Sequence, residues 1–144
     1  MNAHPPIAVR TALVSDMAPC ARLFAAGQQE IEPRTPCWSA DEFPEQVVGE
    51  DILVALAGQQ IVGFVTIWRP DAFVHFLHVA QPWRRRGVGR RLLTAVRAEV
   101  GRPLELKCLV ANRLALAFYQ RLGWRRVGAE DGCPTPYVRL RQPS

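Results

Sequence analysis

Nowhere in its 144 residues does the sequence hold an apolar run approaching the ~20 residues that a membrane-spanning helix needs. The start, Met1-Asn2-Ala3-His4-Pro5-Pro6, has neither the basic nor the apolar region of a secretory signal. Four cysteines, Cys20, Cys37, Cys108 and Cys133, form no C-x-x-C pair and sit in dissimilar contexts, which argues against a zinc site or a disulfide framework. These absences predict a cytoplasmic protein with reduced thiols, no metal and no membrane partner. Internal repeats, low-complexity tracts and linkers are also missing. One domain spanning residues 1–144 is therefore expected, long enough to bury a core.

Negative charge is in the minority: 13 Asp and Glu stand against 18 Lys and Arg, a formal net charge of +5. Apolar residues at 49% and charged residues at 22% are those of a globular protein. The positive excess is concentrated. Arg84, Arg85, Arg86, Arg90 and Arg91 crowd one short stretch, which suits a small polyanion and leaves nucleic acid as a rival.

That stretch has a definite setting. The apolar run Phe73–Val79 leads into it as a strand, and Val88, Leu92, Leu93, Val96 and Val100 form one helical stripe after it. Between them, Gly87 and Gly89 let the backbone turn tightly and meet a ligand without a Cβ in the way. The first turn of the helix leaves N–H groups unpaired, and flanking arginines strengthen the attraction for an anion. A pyrophosphate cradle is the reading. It is not a P-loop, which needs G-x-x-x-x-G-K-[ST], nor a dinucleotide fingerprint, because Leu92 stands where the third glycine belongs.

Taken in order, residues 7–10 alternate as a first strand. Ser15 or Asp16 caps a helix carrying Met17, Cys20, Ala21 and Phe24 on one face, with Gly27 as its end. Residues 28–38 have no period. They read either as a plain loop or as one wall of an acceptor site, with Glu30, Glu32 and Trp38 as its binding residues. Ser39-Ala40-Asp41-Glu42 is a capping-box pattern opening a short helix. Residues 51–57 and 60–68 form a hairpin around Gly58-Gln59, and residues 72–79 follow as a strand. After the cradle helix come a strand over 104–110, a helix from Asn112 with Leu114, Phe118 and Leu122 as its stripe, and strands over 124–127 and 137–140. The result is a mixed α/β, or α+β, sheet with helices on both faces.

Arg84-x-x-Gly87-x-Gly89 resembles the coenzyme-A loop, Q/R-x-x-G-x-G/A, of the GNAT superfamily of N-acetyltransferases. A second stretch, Asn112-x-x-Ala115-x-x-Phe118-Tyr119-x-x-x-Gly123-Trp124, is similar to the family's N-x-x-A-x-x-F/L-Y-x-x-x-G-F. The element order matches as well, over about residues 7–141. One departure is that Gln81 stands where the family often has proline, with Pro82 shifted by one. The resemblance implies a single-domain fold with a mixed, mostly antiparallel sheet, acetyl-CoA as co-substrate, and direct transfer to a primary amine of a small molecule, peptide or protein. It also implies that the backbone from Arg84 through Arg85, Arg86, Gly87, Val88 and Gly89 to Arg90 holds the pyrophosphate. Pantetheine would lie like an added strand beside Leu77, His78 and Val79, where an N–H near Val79 stabilises the oxyanion. A homodimer is a family tendency.

Within that resemblance Tyr119 is the expected general acid: a phenol of pKa ~10 can protonate a departing thiolate of pKa near ~8.5. Asn112 serves as an N-cap, as a pantetheine contact, or as both. His75 is the candidate base, with Glu30 and Glu32 as rivals. Simple alternation puts His75 on the same side of the strand as Val79 and His78 on the other. Two functions of other classes remain open at this point, a non-catalytic acyl-CoA-binding module and a basic-loop nucleic-acid binder. Against the second, Trp83 and Phe76 do not make a stacking series.

Overall fold

The computed structural model describes residues 6–31, 39–130 and 136–144. Its strands are β1 (Ile7–Thr11), β2 (Asp51–Ala57), β3 (Gln60–Trp68), β4 (Phe73–Val79), β5 (Glu105–Leu109), β6 (Arg125–Glu130) and β7 (Tyr137–Arg141). Its helices are α1 (Met17–Ile31), α2 (Phe43–Gln46), α3 (Val88–Val100) and α4 (Arg113–Arg121). The seven strands form one sheet in the order β1-β2-β3-β4-β5-β7-β6. Every neighbouring pair is antiparallel except β4 and β5, which run parallel. The mixed, mostly antiparallel sheet with helices on both faces is thus the one expected from the sequence.

The two faces carry separate cores. On one, Val88, Leu92, Leu93 and Val96 of α3 and Tyr119 of α4 pack on Val62, Val65, Val74, Leu106 and Val138. Burial of each large aliphatic side chain there contributes roughly 1.5–3 kcal/mol. On the other, Cys20, Ala21 and Phe24 of α1 and Phe43 of α2 pack on Val54, Leu56 and Phe64. Beyond β4 this second face presents charged side chains instead, with Glu105 of β5 paired to both Arg139 and Arg141 of β7.

Two interruptions of regularity matter for the site. Pairing of β4 with β5 is confined to Phe73 with Glu105 and Val74 with Leu106, after which the strands part. A bulge also interrupts β4: Thr66 of β3 faces Phe76 and the next residue, Ile67, faces Val74, so His75 is the extra residue. The buried Thr66 hydroxyl accepts the Phe76 N–H at 3.0 Å, which satisfies an amide at the irregular register.

Two expectations need correction. Gly27 does not end α1, which continues to Ile31, so residues 28–31 are helix and not loop. A Cβ on Gly27 would stand 2.1 Å from His78 Nδ1. The glycine is there to let the helix backbone lie against that ring, and no cap is involved. On α4, Leu114 is 74% exposed, whereas Tyr119 is the buried residue of the helix. The core stripe therefore includes the tyrosine.

The cap of α1 is also more specific than the sequence suggests. Asp16 reaches back, accepting the Leu13 N–H at 2.7 Å and pairing with Arg10 at 2.6 Å. Hydrogen bonding to Arg10 holds this carboxyl below its ordinary pKa. The Ser39 capping box forms as its pattern predicts, with the Ser39 N–H donated to Glu42 at 3.0 Å.

Candidate active site

Where β4 parts from β5, a gap opens with polar backbone along one arm. Ala80 donates its N–H to Val62 O at 2.8 Å, on the β3 side. Antiparallel alternation then turns the amides of His78 and Ala80 toward β3 and those of Leu77 and Val79 toward the gap. The Val79 carbonyl fits this alternation, because it accepts Arg84 Nε at 3.0 Å away from β3. The N–H groups of Leu77 and Val79 thus line the open side.

At the end of that arm, the chain turns through residues in the left-handed region at Arg85 (φ 62°) and Gly87 (φ 81°). Such turns gather successive N–H groups into an anion-binding concavity. Helix α3 makes its first backbone bond from Arg91 to Gly87 O at 3.0 Å, so the amides of Val88, Gly89 and Arg90 have no helical acceptor. Among the described residues nothing lies within 4 Å of a Cβ built on Gly87. Gly89 does a different job: a Cβ there would come 3.2 Å from the Phe118 ring, so it lets α3 sit against α4.

Two arginines of the loop have protein partners. Arg84 makes two hydrogen bonds to Glu30, at 2.6 and 3.0 Å, besides the one to Val79 O. Arg84 and Glu30, read from the sequence as a phosphate contact and part of an acceptor wall, are brought together in one brace between α1 and the loop. The Arg86 guanidinium lies 5.1 Å from the Trp83 ring centroid. Arg90 lines a cleft of about 270 Å³ between α3 and the end of α4, together with Arg97 and Arg121.

On the β5 arm, Tyr119 stands in apolar surroundings, with Phe118 and Trp124 rings each 5.1 Å away. Burial, followed by the nearby Cys108 thiol, pushes its phenol well above the ordinary range, so it keeps its proton. Among the described residues nothing hydrogen-bonds its hydroxyl. Asn112 caps α4, its Oδ1 accepting the Ala115 N–H at 3.3 Å.

The bulge overturns one expected orientation. Val74, Leu77 and Val79 face α3 and α4, while Phe76 faces α1. His75 stacks on Phe76 with centroids 3.8 Å apart and planes at 23°, so it sits on the α1 side, opposite Val79. One inserted residue has reversed the face that strict alternation assigned. His75 Nδ1 lies 2.7 Å from Glu50 Oε2. Glu50 went unnoticed in the sequence because it is 25 residues from His75 and belongs to no local pattern. His78 is held among Phe24, Phe64 and Phe76. Burial, helped by Arg84, lowers its pKa to about 4, so it is neutral near pH 7. Glu32 and Trp38 lie outside the described residues.

Among the described residues no group of three or more His, Cys, Asp or Glu is placed to hold a metal. No helix there is long and apolar enough to cross a membrane. Cys20 and Cys108 are buried free thiols, pushed by burial to about 12 and about 11, which keeps them protonated.

A parted parallel strand pair with a turn of unpaired helix-start amides at its end defines the class: the fold of acyl-CoA-dependent acetyltransferases. The sequence profile of the acetyltransferase (GNAT) domain matches residues 48–126, more than half of the chain, and the chain belongs to that family. A GCN5-related N-acetyltransferase from Rhodopseudomonas palustris has the same fold, with a TM-score of 0.78 at 18% identity, covering 100% of this chain and 99% of that one. A Salmonella typhimurium protein solved with its cofactor acetyl-CoA aligns with a TM-score of 0.69 at 15% identity, over 94% and 92% of the two chains. The ribosomal-protein-alanine N-acetyltransferase of Brucella melitensis gives 0.70 at 18% identity, over 94% and 98%. By sequence, an uncharacterized protein of Mycobacterium leprae (strain TN) is 29% identical over 136 residues, 87% of this chain. The chain spans only 36% of that relative's length.

Proposed function

We propose that this chain is a single N-acetyltransferase domain that transfers the acetyl group of acetyl-CoA directly to a primary amine. One observation carries the reading. After two paired residues β4 leaves β5, the freed amides of Leu77 and Val79 face the gap, and an anion-binding turn closes its end. A long molecule with an amide-bearing arm and a pyrophosphate fits that layout: the arm adds along β4, and the pyrophosphate meets the amides of Val88, Gly89 and Arg90. Acetyl-CoA supplies the acetyl group there as a reactive thioester.

The residues of this chain divide the work. A freed N–H of β4, that of Leu77 or its neighbour Val79, polarises the acyl oxygen, an interaction typically worth ~3–4 kcal/mol. His75, whose Nδ1–H donates to Glu50 Oε2, presents the lone pair of Nε2 to the amine and takes its proton. Tyr119 gives its proton to the sulfur as the C–S bond breaks and the C–N bond forms. Its retained proton and unpartnered hydroxyl suit a group whose acceptor arrives with the co-substrate. Arg84 and Glu30 hold the loop in place.

Calorimetry with acetyl-CoA, followed by thiol detection of released CoA across a panel of amines, tests this reading. Acetyl-CoA should bind and at least one amine should release CoA. A DNA oligomer, tried at two salt concentrations, should not compete. Tight DNA binding with no response to acetyl-CoA would reverse the assignment.

A further inference from the structure

At the closed end of the gap, on the face away from α3 and α4, lies a cleft of about 420 Å³. That is within the size range of small-molecule sites. Its walls differ in charge. Glu50, Asp71 and His75 line one side, and Lys107 and Arg139 line the other, with the Trp68 and Phe73 rings completing it. The Glu50 carboxylate is the unusual member. Its side chain is only 9% exposed, and while Oε2 lies against His75, Oε1 is buried with no hydrogen-bond partner among the described residues. A buried carboxylate oxygen left unpaired is costly, typically by ~1–3 kcal/mol or more, so its retention calls for a donor that comes from outside.

The fold puts that oxygen there deliberately. The Glu50 N–H is bonded to Val47 O at 3.0 Å, which closes the turn out of α2. Gly49 makes the turn in the left-handed region (φ 80°), and a Cβ there would come 3.1 Å from the Trp68 ring. The positive wall is equally built. Lys107, the single lysine of the chain, donates to the Tyr137 hydroxyl at 3.2 Å. Glu105 is shared between Arg139 and Arg141, which leaves two guanidiniums for one carboxylate.

Resting on the acetyltransferase reading above, we propose that this cleft is the acceptor site and that the acceptor is a small zwitterion, an amine that also carries a carboxylate. Its ammonium group is held by Glu50 Oε1, beside the Nε2 of His75 that removes the proton before attack. Its carboxylate lies toward Lys107 and Arg139. His75 follows directly on the last paired residue of β4, so the amine waits at the apex of the gap, about two residues, or ~7 Å, from the Leu77 amide. In the transfer the neutral amine nitrogen forms the new C–N bond as the C–S bond breaks, Tyr119 protonates the departing sulfur, the second nitrogen proton restores the Tyr119 phenol, and His75 releases the first proton to solvent.

The test uses the twenty standard L-amino acids, each set against its methyl ester and its decarboxylated amine, at saturating acetyl-CoA. At least one free acid should release CoA with a kcat/KM tenfold or more above both of its partners. Lys107→Met should bring that ratio close to one. Glu50→Gln should raise KM for the acid at least tenfold while leaving the acetyl-CoA Kd unchanged, a split that general unfolding would not produce. The zwitterion proposal is overturned if esters or decarboxylated amines serve as well as the acids, or if acetyl-CoA binds and no acid is turned over. Absence of acetyl-CoA binding would instead sink the underlying reading, and this proposal with it.

Discussion

Replacing Tyr119 by phenylalanine separates chemistry from packing. The ring stands 5.1 Å from both Phe118 and Trp124, and those contacts survive the change. Only the hydroxyl goes, and no described residue bonds to it. Tyr119 keeps 7% exposure and its hydroxyl is not closed off from solvent, so deleting it changes the desolvation of the folded state little. The melting temperature should therefore stay within about 2–4 °C of wild type, the shift that ~1 kcal/mol produces. Activity should fall. A positioned acid is worth ~10²-fold or more in turnover, equivalent to about 2.7 kcal/mol of barrier. Because the proton matters only as the C–S bond breaks, kcat should fall while the acetyl-CoA Kd stays put. The assay pairs thiol detection of CoA with calorimetry and thermal melting. An acyl donor whose thiol has a much lower pKa than the ordinary ~8.5 should show a smaller defect. Burial raises the pKa of the phenol, so its ionisation should contribute no limb to the rate profile around neutral pH. Wild-type turnover in Tyr119→Phe, with thiol release shown to be rate-limiting, refutes the general-acid role.

Three further outcomes are expected. Gly27→Ala places a Cβ 2.1 Å from a ring that Phe24, Phe64 and Phe76 surround, and overpacking of ~1–3 kcal/mol should outweigh the helix-propensity gain of up to ~1 kcal/mol. Denaturant unfolding should show a net loss, and equal or greater stability would mean that the ring has room to move. Gly87→Val meets no protein atom but forces a branched side chain into the left-handed region beside the cradle, so acetyl-CoA affinity should fall at least tenfold in a folded protein. Unchanged affinity by calorimetry would count against the cradle. Stability should also fall on acidification: the folded-state pKa of His78 is depressed to about 4, so its contribution is full above ~6.5 and is lost as pH drops toward about 4, by roughly 3 kcal/mol at most. Asp16 and Glu105, both held low by arginine partners, add losses of the same sign at lower pH. Urea titrations of wild type and His78→Gln at pH 7.5 and 5 check this; an equal acid loss in both would remove His78 as the cause.

Local chemistry explains which features were legible before the structure. The turn at Gly58, the box from Ser39 to Glu42, and the α3 stripe each depend on residues within a turn or two of one another. The glycines of the cradle and the cap at Asn112 are local in the same sense. Gly27 misled because a glycine late in a helix looks alike whether it ends the helix or admits a neighbour's ring. Leu114 misled because a four-residue spacing fits more than one stripe, and only the position of α4 on the sheet selects the one through Tyr119.

The sequence by itself determined the element order, the glycine turn between β4 and α3, and the family, since these are written in spacings of a few residues that backbone geometry reads directly. Tertiary structure alone decided the geography of the candidate site. A bulge in β4 moved His75 to the opposite face, and the turn after α2 carried Glu50 to it across 25 positions of sequence. Packing of α1 on the sheet brought Glu30 onto Arg84, and pairing of strands brought Lys107 and Arg139 opposite Glu50. Register and long-range packing set those meetings. They depend on the whole sheet closing around two cores, and no window of neighbouring residues contains that information.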